Sequence, residues 1–224
     1  MLRAYRAFLS GVLILASALG AGSAAPVNDV VESFDGIEPG RLPSGWRVDA
    51  TNPGGALARW EIAATADAAS APNVLALTEV RDKSSGVYNL CWNPNAAFKD
   101  GQVEVRVQAR TGATDQGGGP IWRVRDADNY YVARYNPLER NFRVYYVEDG
   151  RRRELAGVGD LDIGAGRWFT IRVVHVGAHI TGWLDDKKLL EVDDSHFPDA
   201  GGVGVWTKAD AATWFDDLRI TYGD

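Results

Sequence analysis

Between Gly117 and Pro137 the chain reads GGGPIWRVRDADNYYVARYNP, which sets Arg123, Arg125 and Arg134 among Trp122, Tyr130, Tyr131 and Tyr135. A guanidinium offers N–H donors in a planar fork, and a tyrosine ring offers an apolar face with a polar tip. Such groups together suit the recognition of hydroxyl-rich or anionic ligands. Carboxylates are close by, with Glu139 and Asp128 the first candidates for acid–base work. Glycoside hydrolysis needs a pair of carboxyls, about 5 to 5.5 Å apart for retention and wider for inversion. The nearest pair at i, i+2 spacing, Asp126 and Asp128, sits in a turn by its chemistry, because Asp and Asn bond their own backbone.

Which groups can act together depends on the strands that carry them. With Ala127-Asp128 as a two-residue loop, Arg125 faces Tyr130, Arg123 faces Val132 and Ile121 faces Arg134. With Pro137 to Arg140 as a four-residue loop, Asn136 faces Asn141, Arg134 faces Arg143 and Val132 faces Tyr145. Alternation then sorts the side chains onto two faces. Trp122, Val124, Tyr131, Ala133, Tyr135, Phe142, Val144 and Tyr146 form a core face. Arg123, Arg125, Tyr130, Arg134, Asn136, Asn141, Arg143 and Tyr145 form a wet face. Arg134 opposite Arg143 places like charges across a strand pair, so a carboxylate such as Glu139 or a bound ligand must offset the repulsion.

Period-two runs recur along the whole chain, and QVEVRVQAR is the cleanest: Val103, Val105, Val107 and Ala109 alternate with polar residues. Further strands are predicted at 58–62, 74–79, 86–92, 168–176, 179–184, 189–192, 203–208 and 213–221, and one short helical turn at 193–198. Many short strands with one wet face imply an all-β sandwich or barrel. Eight tryptophans spread from Trp46 to Trp214 suit one large core, so residues 25–224 are predicted to form a single domain. Residues 1–24 have the order of a signal peptide: Arg3 and Arg6, an apolar run, then small residues. The run is too short to span a membrane, which takes about 20 apolar residues. A secreted or periplasmic protein is the expectation.

The chain has 24 basic and 30 acidic residues, for a net charge of −6, and the predicted leader carries two of the basic ones. That balance argues against a general nucleic-acid binder or an anionic-membrane binder, since both need a basic footprint. Cys91 is the single cysteine, so no internal disulfide forms, and its flanking Leu90 and Trp92 suit a buried hydrophobe. His175 and His179 have metal spacing only on a helix, and Val176-Gly177-Ala178 reads as a hairpin turn. Adjacent acids such as Asp216-Asp217 would point to opposite faces of a strand.

The order GGPIWRVRDADNYYVARYNPLERNFRVYYVEDG, then GRWFTIRV, then GWLDDKKLLEVDDSHFPDAGGVGVWTKADAATWFDDLRI, resembles the concanavalin A-like lectin/glucanase superfamily. It is most similar to the laminin G-like and 3-keto-disaccharide hydrolase-type domains of bacterial exported proteins. The resemblance runs from about Phe34 to Tyr222 and implies a jelly-roll sandwich of two antiparallel sheets. It implies that sugars bind on the concave sheet face, which the wet arginine face would supply. It also implies a structural calcium, with Asp217 and Asp35 as ligands. The Glu-x-Asp-x-Glu strand of family 16 glucanases is absent. The reading is therefore an exported carbohydrate-binding sandwich whose site comprises Arg123, Tyr130, Arg134, Asn136, Asn141, Arg143, Tyr145 and Lys208. The tyrosines would stack on sugar rings, and the other residues would bond hydroxyls or an acidic group. A glycoside hydrolase of the 3-keto-disaccharide type and a structural envelope protein without a small ligand are the rivals.

Overall fold

A computed structural model describes residues 29–223, so the predicted leader lies outside the described residues. Strand follows strand, and no helix occurs among the described residues. The first half holds β1 (Asp29–Glu32), β2 (Arg47–Thr51), β3 (Arg59–Ala64), β4 (Asn73–Glu79), β5 (Tyr88–Phe98), β6 (Gly101–Thr111) and β7 (Gly119–Asp126). Next come β8 (Asn129–Asn136), β9 (Asn141–Glu148), β10 (Arg151–Val158) and β11 (Trp168–Val176). The chain closes with β12 (His179–Leu184), β13 (Lys187–Asp193), β14 (Gly201–Lys208) and β15 (Ala212–Tyr222).

These strands make two antiparallel sheets. One has the order β13-β12-β11-β6-β15-β4-β3, with β1 paired to β15; the other has the order β10-β9-β8-β7-β14-β5-β2. The sequence reason is visible in β6, where Val103, Val105, Val107 and Ala109 are buried and Arg106 between them is exposed. Between the sheets lie Trp60, Ile62, Ile171 and Phe215 from the first, and Trp122, Tyr131, Phe142, Val203 and Val205 from the second. Cys91 is buried in that layer, and burial pushes its thiol pKa up, so it packs as a hydrophobe and holds no thiolate.

The hairpin β8–β9 has the predicted register: Asn136 faces Asn141, Arg134 faces Arg143 and Val132 faces Tyr145. The hairpin β7–β8 does not. Its Ala127-Asp128 turn forms as expected, but Trp122 faces Tyr131 and Ile121 faces Val132. Arg123, Val124 and Arg125 thus stand opposite Tyr130 alone, with Arg123 at φ 47°. The extra residues make a bulge, which re-aims side chains. Val124 leaves the inter-sheet core for the outer face. Residues 194–200 form bends without the expected helical turn, and β1, β2 and β10 are strands that periodicity did not reveal.

The outer face of the second sheet carries its own apolar cluster, including Tyr88, Leu90, Trp92, Ile121, Tyr130, Val132, Tyr145 and Trp206. This corrects the expectation of a wet face. The cause is curl. Thr51 on β2 and Tyr130 on β8 are four strand positions apart, about 19 Å on a flat sheet. Yet the Thr51 and Tyr130 hydroxyls lie 2.8 Å apart. Thr51 also donates to the Ala127 carbonyl, and the Asn52 amide donates to Gly150 O at 2.8 Å. The sheet therefore coils until distant corners meet, and its outer face is the inside of the curve.

Candidate ligand-binding face

The concave face is built from alternate residues of β2, β5, β14, β8, β9 and β10. On β14, Val203 and Val205 point into the inter-sheet core, which turns Trp206 and Lys208 outward as predicted. Gly202 and Gly204 leave room there, since a Cβ on either would strike the Trp92 side chain. Trp206 Nε1 donates to the Tyr130 hydroxyl at 3.1 Å, so two rings on the floor of the face share polar tips.

Arg134 is 3% exposed and bonded on every side. It donates to the Asn141 side chain and main-chain carbonyls, to Glu139 at 2.7 Å and to the Tyr145 hydroxyl at 3.0 Å. Opposite it, Arg143 donates to Glu154 at 2.8 Å and keeps more than a third of its side chain exposed. Each member of the like-charged pair has its own carboxylate, which offsets the cross-strand repulsion. Burial pushes the Glu139 carboxyl up, but the Arg134 charge and hydrogen bonds from Asn141 and Arg134 outweigh it. Glu139 is therefore held below its ordinary range and has no proton to donate at neutral pH.

The remaining predicted site residues divide. Asn136 donates to Asp115 at 2.8 Å, and its carbonyl accepts from the Leu138 and Glu139 amides, so it shapes the β8–β9 turn. Asn141 donates to Glu139 at 3.1 Å, and Lys208 donates to Asp115 at 2.7 Å. Tyr145 and Tyr130 both lie on the face, but Tyr130 is fully buried, with its hydroxyl engaged by Thr51 and Trp206. Arg123 is not on the face at all. The bulge sends it to the end of the sandwich, where it donates to Lys99 O at 2.7 Å, Phe197 O at 2.8 Å, Gly177 O at 3.0 Å and Asp100 at 3.2 Å.

Beside Arg123 sits His175, fully buried, whose Nδ1 accepts from Trp122 Nε1 at 2.9 Å. Burial and the Arg123 charge push its pKa down to about 3. His179 is on the surface between Asp193 and Glu191, so the two histidines do not converge. Asp128 lies in the β7–β8 turn, raised first by burial and then by the charges of Asp126, Asp149 and Asp49.

The predicted metal ligands are spoken for. Asp35 accepts from the Asn73 amide, and Asp217 accepts from Ser70 and lies 3.6 Å from Arg106. Asp216, expected on the opposite face from Asp217, bonds the same Ser70, because β15 bulges there and Asp217 has φ 47°. Burial, and then the charges of Asp217 and Asp35, raise the Asp216 carboxyl to about 6. Among the described residues no three acidic, His or Cys side chains are placed to hold an ion.

One residue of the face was not anticipated. Arg152 on the edge strand β10 faces Val147 and lays its guanidinium over three rings, with centroid distances of 4.3 Å to Tyr145, 5.3 Å to Tyr88 and 5.7 Å to Trp206. Those rings stand on β9, β5 and β14, and only the curl brings them to one side chain. The signal for β10 was present: Asp149-Gly150 is a hairpin dipeptide, and a two-residue turn there pairs Arg151 with Glu148 and Arg152 with Val147.

No family model matches the chain, and no curated protein matches it in sequence. Solved structures do. The carbohydrate-binding module CBM66 from Bacillus subtilis aligns at TM-score 0.61 and 19% identity, over 79% of this chain and 95% of that one. The exoplasmic/lumenal domain of VIP36 in its calcium-bound form aligns at TM-score 0.57 and 13% identity, over 88% and 92%. The cellulose-induced protein Cip1 aligns at TM-score 0.56 and 14% identity, over 84% and 95%. The fold these structures share with the chain is a jelly-roll sandwich of two antiparallel sheets.

Proposed function

We propose that this chain is an exported carbohydrate-binding sandwich that takes a glycan on the concave face of its second sheet. The observation that carries the reading is the curl. It gathers Tyr88, Tyr145 and Trp206 from separate strands onto one floor and leaves Arg143 and Glu154 at the rim. The rings are buried and form a rigid apolar floor under Arg152, and charged hydrogen-bonding groups held on such a floor are the equipment of a saccharide site. Arg143 and Arg152 are the ligand-facing groups, and the buried Tyr145 ring supports Arg152 from below. Arg134, Asn136, Asn141 and Lys208 hold them in place through Glu139 and Asp115. The likeness to a carbohydrate-binding module supports the reading at the level of fold. The Arg3 to Ala25 pattern supports export, and among the described residues no helix is long and apolar enough to cross a membrane.

The test is a broad glycan panel followed by calorimetry. Arg143→Ala should weaken the retained glycan about tenfold or more, because a charged hydrogen bond contributes about 1.5 to 3 kcal/mol. A panel that retains no glycan, or an Arg143→Ala protein that binds as the parent does, rejects the reading.

Calcium belongs to this proposal only as a question of fit. Asp35, Asp216 and Asp217 are oxygen donors of the right kind, but as arranged they bond Asn73, Ser70 and Arg106 and do not fit an ion. The expected melting temperature is the same in millimolar calcium and in chelator. A rise with calcium would show that these side chains rearrange to bind it.

A further inference from the structure

Four cations besides Arg152 stand on the concave face, and each has a carboxylate: Arg47 with Asp49, Arg134 with Glu139, Arg143 with Glu154, and Lys208 with Asp115. Arg152 has none among the described residues. Its Nη1 is buried without a hydrogen-bond partner. The rings of Tyr145, Tyr88 and Trp206 stabilise the positive charge through their quadrupoles, but a ring face does not accept hydrogen bonds as an oxygen does. The Arg152 Nε and Nη2 make no hydrogen bond among the described residues and are not buried, so the Nε–Nη2 edge is the one a ligand can reach.

We infer that the glycan bound by this face carries an anionic group, a carboxylate or a sulfate, that docks on the Arg152 guanidinium; the inference rests on the carbohydrate-binding reading above. A planar fork matches two anionic oxygens with parallel hydrogen bonds. The ligand then supplies the counter-charge that every other cation of the face finds within the protein. The chain as a whole is acidic, so the attraction is local to this edge and does not come from net charge.

The experiment compares matched pairs of ligands by calorimetry at low salt. One pair is a galacturonate oligosaccharide and its neutral methyl ester; the other is a sulfated oligosaccharide and its desulfated form. The expected result is at least a tenfold preference for the anionic member of one pair, and which pair shows it identifies the anion. The preference should shrink as salt is raised. Arg152→Gln should bring the ratio near one, Arg152→Lys should keep part of it, and Arg151→Gln, whose side chain lies on the other side of the strand, should leave it intact. Equal affinity within both pairs, or a preference that survives in Arg152→Gln, overturns the inference while leaving the glycan-binding reading standing. Failure of every glycan, neutral or anionic, removes both.

Discussion

Two arginines of the same sheet, one on its central strand β7 and one on its edge strand β10, are both largely withdrawn from water, and they are treated in contrary ways. Arg123, at the end of the sandwich, gives its donors to three carbonyls and a carboxylate. Arg152, on the concave face, lies on three rings and bonds no protein acceptor among the described residues. The first is a completed network, in which a buried charge is tolerable because all three guanidinium nitrogens are bonded. The second is a charge held in position and left incomplete. The difference teaches that the number of acceptors around a guanidinium says more about its role than its burial does.

The largest effect that would sharpen the contrast is at Arg123. Arg123→Met removes the charged partner of Asp100, which keeps only the Gly177 amide, and takes a donor from three carbonyls; such breakage of a buried pair costs about 3 to 5 kcal/mol. Urea titration should show that loss; a change below about 1 kcal/mol would mean the network does not hold the end of the sandwich. Tyrosines 130 and 131 extend the comparison to the two layers. Both are fully buried, so Tyr130→Ala and Tyr131→Ala should each cost about 3 to 5 kcal/mol. A mild Tyr130→Ala would show that the concave face is not packed as a second core.

Next in size is the pH response of the Arg123 end. The His175 pKa falls from an ordinary 6.5 to about 3 on folding, because burial and Arg123 disfavour the imidazolium. A depressed folded pKa contributes stability that is complete above 6.5 and is lost as pH falls towards 3. The slope is about 1.4 kcal/mol per pH unit for one proton, so unfolding free energy should drop by about 2 to 3 kcal/mol between pH 6.5 and 4.5. His175→Gln should flatten that part of the profile, and an unchanged slope in the variant would assign the loss to other groups. The smallest effect belongs to Arg152. Arg152→Met should change stability by no more than about 1 kcal/mol, the scale of a partly exposed cation–π contact. A loss as large as that of Arg123→Met would erase the distinction between the two arginines.

The legible parts of this protein were those set by near neighbours. Alternation in β6 announced a half-buried antiparallel strand, and the four-residue turn at Pro137–Arg140 set Arg134 against Arg143 in the register that forms. The inward valines of β14 likewise turned Trp206 and Lys208 to the ligand face. A hairpin register follows from its own turn, so a short stretch contains the information. The bulge at Arg123 escaped the same reasoning because its turn is regular and the extra residues enter one strand behind it. What places a side chain there is the set of carbonyls waiting at Lys99, Gly177 and Phe197, which arrive from remote parts of the chain.

The sequence by itself determined the class of fold, most of its strands and the local pairing that brings arginines and tyrosines onto one surface. The tertiary structure alone decided that this surface is concave and aromatic. Twist accumulates across seven strands until β10 approaches β5 and Thr51 reaches Tyr130. No local pattern records that sum, and so the Tyr88 and Trp206 rings under Arg152, brought there only by the curl, could not be found from spacing.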